Sequence, residues 1–150
     1  MAIEKKVLLA RPHAFIVSEM RPFLERNGYQ PTKLESIDDM HSGKLGSFSG
    51  AIISTAVVSS IAAKPAEVFA ELRKRYPSLP VIFAGLTAFD STLSTIQRIV
   101  HEVHPGSTIL PFNARAEEHS RLGERDVFLF LNKDDIASAA AERILRQHFR

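Results

Sequence analysis

Three short apolar runs in this chain end in residues that could line a ligand site. The runs and the residues that follow them are Val7–Ala10 before Arg11, Pro12 and His13, Ala51–Ser54 before Thr55, and Val81–Ala84 before Gly85 and Thr87. Ligands of a parallel α/β sheet bind beyond the carboxyl ends of its strands, so these positions are where chemistry is expected. A guanidinium, an imidazole and hydroxyl groups suit an anion there, but none of the runs ends in a carboxylate.

A structural role competes with each of these assignments. Arg11 could instead supply the positive charge of a pocket that holds no metal ion. One basic residue on a loop is weak evidence for an anion site. Ser54, Thr55 and Thr87 follow strands, where hydroxyl side chains commonly stabilise turns and helix caps.

Other catalytic and metal-binding patterns are missing from the sequence. It has no cysteine, which excludes thiolate metal sites, disulfides and cysteine nucleophiles. No glycine-rich phosphate loop, serine-histidine-aspartate arrangement or H-E-x-x-H motif can be read in it. We therefore expect no metal, no cofactor and no enzymatic activity.

Length and composition favour one globular domain over residues 1–150. The hydrophobic content of 45% is enough for one buried core. The 19 Lys and Arg residues against 17 Asp and Glu residues give a formal net charge of +2, which gives little reason to expect nucleic acid as a partner. The sequence has no signal-peptide pattern and no apolar run long enough to span a bilayer, so we expect a cytoplasmic protein without a membrane contact.

Apolar runs alternate with segments of helical period, as in βαβ units around a parallel sheet. The predicted strands of the first part are Val7–Ala10, Thr32–Ser36, Ala51–Thr55 and Val81–Ala84. Gly28 is placed to end the first helix, the next clear helix opens near Pro65, and Asp90 is placed to cap the one after it. The pattern predicts a three-layer α/β/α sandwich.

The last third of the chain offers two segments for the fifth strand, Thr108–Leu110 and Val127–Leu131. A five-stranded sheet needs one of them, so the stretch 105–125 is expected to add an element beside the fifth strand. Asn132 is a candidate cap for a last helix that begins near Asp134.

Two stretches carry a family resemblance. KVLLARPHAFIVSEMRPFLERNG, from Lys6 to Gly28, resembles the opening of response-regulator receiver (CheY-like) domains. Within Gly50–Leu86, GAIISTAVV and AEVFAELRKRYPSLPVIFAGL are similar to the third strand, third helix and fourth strand of that family. The resemblance covers roughly the first 105 residues and implies a flavodoxin-like sheet in the order 2-1-3-4-5.

The resemblance also implies a phosphorylation site, and the residues here depart from it. In the family, two acids follow strand one, a phosphoacceptor Asp follows strand three, a Thr or Ser ends strand four and a Lys ends strand five. In this sequence Arg11 and Pro12 stand at the positions of the two acids, Thr55 stands at the position of the phosphoacceptor, and Gly85 stands at the position of the Thr or Ser. The Lys position is Leu110 or Lys133, depending on which segment is strand five. The resemblance therefore implies a degenerate pseudo-receiver.

Two functions follow as hypotheses. The first is a stand-alone pseudo-receiver that signals or scaffolds through protein partners without aspartyl phosphorylation. The alternative is a module that binds a nucleotide, flavin or cobalamin-like ligand in the crevice at the strand ends.

Self-association is a further expectation. The resemblance implies an interface that uses the fourth and last helices, and the apolar stripe Leu93, Ile96, Val100 and Val103 is a candidate for it, although core packing would also explain this stripe. A homodimer is the expected form.

Overall fold

The protein is an α/β sandwich built on one six-stranded parallel sheet. The computed structural model describes residues 5–11, 20–34, 48–54, 65–76, 79–85, 89–103, 105–111, 122, 127–132 and 141–149. Every strand pair in the described sheet is parallel. The predicted fold class is confirmed.

The strands lie in the spatial order β2-β1-β3-β4-β6-β5. Their bounds are β1 Lys5–Arg11, β2 Tyr29–Lys33, β3 Gly50–Ser54, β4 Val81–Gly85, β5 Thr108–Pro111 and β6 Val127–Asn132. β6 pairs with β4 and so occupies the fifth position, while β5 pairs with β6 at the outer edge. The order 2-1-3-4-5 is therefore close to what forms, and the element expected in 105–125 includes an added edge strand.

Four helices flank this sheet in the described part of the chain. They are α1 Arg21–Arg26, α2 Pro65–Arg75, α3 Phe89–Val103 and α4 Ala141–His148. Gly28 follows α1 with φ of +85°, a conformation that glycine adopts without steric penalty, which confirms the predicted helix end.

The core forms two layers, one on each face of the sheet. One layer packs α1 and α4 against the sheet through Phe23, Leu24, Ile144 and Leu145. The other packs α2 and α3 against the opposite face, with Phe69 and Phe83 meeting Phe128 at ring-centroid distances of 5.3 and 6.2 Å. Val7–Ala10 of β1 and all of β3 and β4 are buried on both faces, as their continuous apolar runs predict.

Several predicted boundaries are wrong. β2 begins at Tyr29 instead of Thr32, because the chain enters the sheet directly after Gly28 and buries the Tyr29 side chain. α3 already begins at Phe89, so Asp90 lies inside the helix and not at its cap. Asn132 ends β6, in register with Gly85, and the helix that it is predicted to cap would begin near Asp134, outside the described residues.

The end of α4 closes the amino-terminal edge of the sheet. The Tyr29 hydroxyl donates a hydrogen bond to the Phe149 carbonyl, and the two rings meet edge to face at 6.2 Å. The next residue inward, His148, is buried and donates from Nε2 to the Val81 carbonyl at 3.0 Å. Residues at the end of one helix thus contact the first residues of β2 and β4.

Arg73 is a charged side chain inside this frame. Its guanidinium donates to the Leu79 carbonyl at 2.6 Å and to the Tyr76 carbonyl at 3.4 Å, and it lies 4.9 Å from the Phe128 ring centroid. It therefore ties the end of α2 to the turn that leads into β4.

None of the described helices is long and apolar enough to cross a membrane.

Candidate functional site

The carboxyl ends of the strands form the edge at which this fold binds ligands. Ser54 of β3 is in register with Ala84, and Gly85 of β4 is in register with Asn132 of β6. Thr55 is the next residue in the sequence after Ser54 and lies outside the described residues.

The sheet decides between the two candidates for strand five. β6 stands beside β4, while Leu110 is paired with Leu129 inside the edge strand and is separated from β4 by β6. Leu110 therefore does not reach the level of Gly85. Asn132 does, and Lys133 is the next residue in the sequence but lies outside the described residues.

Asn132 and Ser54 are the polar side chains described at these ends. Ser54 is buried and Asn132 is half-buried, and both have interaction partners. Side chains alternate along a strand, so Ser54 shares the face of Ile52, against α1 and α4, whereas Asn132 shares the face of Phe130, against α2 and α3. The signal for Asn132 was available as the first polar residue after the apolar run Val127–Leu131.

The other predicted site residues are placed as follows. The Arg11 backbone ends β1 and is in register with Ile53, across an irregularity after Leu9. Gly85 is buried at the end of β4. The remaining members, Pro12, His13, Thr55, Thr87 and Lys133, lie outside the described residues.

The described strand ends carry no carboxylate: β1 and β2 end in the basic residues Arg11 and Lys33, and the other four strands end in neutral residues. Ser54, Gly85, Pro111 and Asn132 end four strands there, and none of them carries a carboxylate. Within the described ranges no three histidine, aspartate or glutamate side chains come together in a way that would hold a metal ion. A hydroxyl, an amide and backbone groups can bind by hydrogen bonding but do not form an acyl phosphate.

The predicted interface stripe is corrected by burial. Ile96 and Val100 are fully buried between α3 and the sheet, so they cannot contact a partner. Leu93 is half-buried, and Val103 is 37% exposed. The apolar stripe of α3 is explained largely by packing within the chain, which leaves Val103 and part of Leu93 on the surface.

Among the described residues, the side chains with a shifted pKa are two tyrosines, Tyr29 and Tyr76. Burial raises the pKa of Tyr29, at the amino-terminal edge of the sheet, and the nearby Arg146 charge opposes this shift. Burial likewise raises the pKa of Tyr76, which Arg75 opposes. Both shifts reflect packing around phenol rings and assign no acid or base to the crevice.

Comparison with known proteins gives a likeness at the level of structure. No protein-family model matches the chain, and no curated protein matches its sequence. A response regulator receiver protein from Sinorhizobium medicae superposes with a TM-score of 0.53 at 14% identity, covering 96% of this chain and 97% of that one. A CheY-like receiver domain protein from Methanospirillum hungatei gives 0.53 at 12% identity, with 97% of each chain covered.

These identities are too low to carry function, but the coverage spans nearly the whole of each chain. In this chain the superposed fold is a parallel sheet with helices on both faces and the central order β2-β1-β3-β4 followed by β6. The chain has the fold of CheY-like response-regulator receiver domains.

Proposed function

We propose that this protein is a pseudo-receiver: a non-enzymatic cytoplasmic signalling or scaffold module that acts through protein partners without aspartyl phosphorylation. The observation that carries the proposal is the residue series at the carboxyl edge of a receiver-like sheet. β3 ends in Ser54 and the sequence continues with Thr55, where a phosphoacceptor carboxylate would be needed.

The chemical argument has three parts. Arg11 ends β1 and Pro12 follows it in the sequence, where acids would be needed, and a guanidinium repels the divalent cation that such acids would hold. Thr55 has no carboxylate with which to form an acyl phosphate. Gly85 offers no side-chain hydroxyl to a phosphoryl group.

The register adds a fourth part. Asn132, and not a lysine, is the residue level with Gly85 at the end of β6. An amide can hydrogen-bond to a phosphoryl oxygen but carries no charge to stabilise it. Beside Gly85 the site would therefore lack the lysine ammonium group, in addition to the carboxylate nucleophile.

Phosphodonor labelling tests the proposal. The chain, incubated with acetyl phosphate and magnesium beside a receiver with an intact aspartate, should show no acid-labile phosphoryl group by intact-mass spectrometry. Thr55→Asp alone should also remain unlabelled, because the metal ligands are still missing. Arg11→Asp, Pro12→Asp and Thr55→Asp together should give slow labelling if Lys133 reaches the site.

Labelling of the unmodified chain on an Asp at the strand ends would overturn the proposal. Asp90, in the first turn of α3, is the nearest acid in sequence to β4, so Asp90→Asn is the control that identifies such a displaced acceptor.

A second copy of this chain is the partner that is simplest to test. Val103 at the end of α3 is the large apolar side chain exposed in the described part of the chain. Sedimentation velocity at concentrations of about tens of micromolar should show a dimer that Val103→Lys weakens. A monomer throughout that range would remove the homodimer and leave a different protein as the partner.

A further inference from the structure

A groove of about 460 Å³ opens at the amino-terminal edge of the sheet, beside α1 and β2. We call it the α1–β2 groove, and its main lining residues are Lys5, Arg21, Glu25, Tyr29, Gln30 and Pro31. Lys5 and Tyr29 are cross-strand partners at the start of β1 and β2. The groove therefore lies at the opposite edge of the sheet from the crevice at Ser54 and Gly85.

The charges around the groove are mainly positive. Lys5 is exposed and has no partner among the residues that the structure describes. Arg21 Nε lies 3.4 Å from Glu25 Oε1, with both side chains more than half exposed. A pair so exposed is weak, and Arg21 can turn to another anion at little cost.

A third cation comes from a different helix. Arg146 of α4 is exposed and close enough to act electrostatically on Tyr29. Two cations, Lys5 of β1 and Arg21 of α1, line the groove together with one acid, Glu25, and Arg146 acts on Tyr29 from outside this lining. The lining therefore carries a net charge of +1, and Arg146 adds positive potential on the side of Tyr29, which together favour an anionic ligand.

The groove also offers apolar surface and room. The Tyr29 side chain is buried, and its hydroxyl is held by the Phe149 carbonyl, so the residue forms a fixed floor. Pro31 is half-buried in the adjoining wall, and Gln30 presents an exposed amide. At Gly28, apart from its chain neighbours, no atom of the described residues lies within 4 Å of the place where a Cβ would be.

We propose that the α1–β2 groove binds a small organic anion, a phosphate monoester or carboxylate with a compact apolar body. The anionic group would contact Lys5 and Arg21, and the body would lie on Tyr29 and Pro31. The volume lies within the range of about 300–1,000 Å³ that is usual for small-molecule sites. This site does not depend on the proposed function, because it shares no residue with the strand-end crevice.

The test uses ¹H–¹⁵N correlation spectra of the whole chain at constant ionic strength. Phenyl phosphate and benzoate are the probes, and they distinguish a phosphate from a carboxylate ligand. Benzyl alcohol supplies the apolar body without charge, and inorganic phosphate supplies charge without the body. We expect the amide chemical shifts of Gly28, Tyr29 and Gln30 to change saturably with phenyl phosphate, with benzoate or with both. Benzyl alcohol alone and inorganic phosphate alone should cause smaller changes.

Matched charge variants decide whether the groove is responsible. Lys5→Gln should raise the dissociation constant about threefold, whereas Glu25→Gln should lower it by a similar factor, because one removes a favourable charge and the other an unfavourable one. Arg98→Gln changes an exposed cation of α3, on the opposite face of the sheet, and should have no effect. Opposite effects from two neighbouring exposed positions would not arise from damage to the fold.

The proposal is overturned if the shifts grow linearly without saturation, if they spread over basic residues elsewhere, or if Lys5→Gln and Arg98→Gln behave alike. Each of these results would mean that the anions only screen surface charge. Saturable shifts with benzyl alcohol equal to those with phenyl phosphate would also reject an anion site.

Discussion

The ring of Phe149 occupies the space that a side chain at Gly50 would need. A Cβ built on Gly50 would lie 2.3 Å from Cδ1 and 2.4 Å from Cε1 of that ring. Gly50 begins β3 and Phe149 follows α4, so these two residues set how closely the end of the last helix approaches the sheet.

Gly50→Ala should therefore lower the free energy of unfolding by about 1–3 kcal/mol, because the buried ring must move. Urea denaturation measures the loss. In a Phe149→Leu background the same substitution should cost clearly less, since the smaller side chain leaves room. Equal costs in both backgrounds would mean that the ring does not cause the effect.

Tyr29 should make stability fall at alkaline pH. Burial raises its pKa in the folded protein above the unfolded value of about 10, although Arg146 opposes the shift. The contribution of the neutral phenol is fully present below pH of about 10 and is lost as pH rises through the raised pKa. Ionisation also removes the proton that Tyr29 donates to the Phe149 carbonyl.

The measurement uses a Tyr76→Phe background, which leaves Tyr29 as the one tyrosine in the chain. There, Tyr29→Phe should cost about 1 kcal/mol at pH 8 and should reduce the loss of stability between pH 8 and 11. If the alkaline loss is the same with and without the Tyr29 hydroxyl, other groups cause it.

Arg73 should contribute far more to stability than its neighbour on α2. Arg73→Met removes two hydrogen bonds to carbonyls and the ring contact with Phe128, and should cost about 2 kcal/mol. Lys74→Met, at an exposed position one residue later, should change stability by less than about 0.5 kcal/mol. Similar values in urea denaturation would show that the buried guanidinium adds no net stability, as can happen when desolvation cancels the gain.

Hydrogen exchange should distinguish the two carboxyl-terminal strands. β6 lies between β4 and β5, so the amides of Leu129 and Phe130 should exchange about tenfold or more slowly than that of Ile109 in the edge strand. Faster exchange in β6 than in β5 would contradict the order of the sheet.

The sequence by itself determined the fold class, because the signals involved are local. Continuous apolar runs at Val7–Ala10, Ala51–Ser54 and Val81–Ala84 require cover on both faces, which predicts central parallel strands. Gly28 marked a helix end for a similar reason, since few other residues adopt its φ. The uncharged strand ends at Ser54 and Gly85 could also be read directly, and they led to the pseudo-receiver hypothesis.

The tertiary structure decided what depends on contacts between distant segments. Thr108–Pro111 and Val127–Asn132 both read as strands, and pairing with β4 placed the second one inside the sheet and the first at its edge. An apolar stripe has the same period whether it faces a core or a partner, so packing alone assigned Ile96 and Val100 to the core. The contact of Phe149 with Gly50 joins residues far apart in the chain, and only folding brings them together.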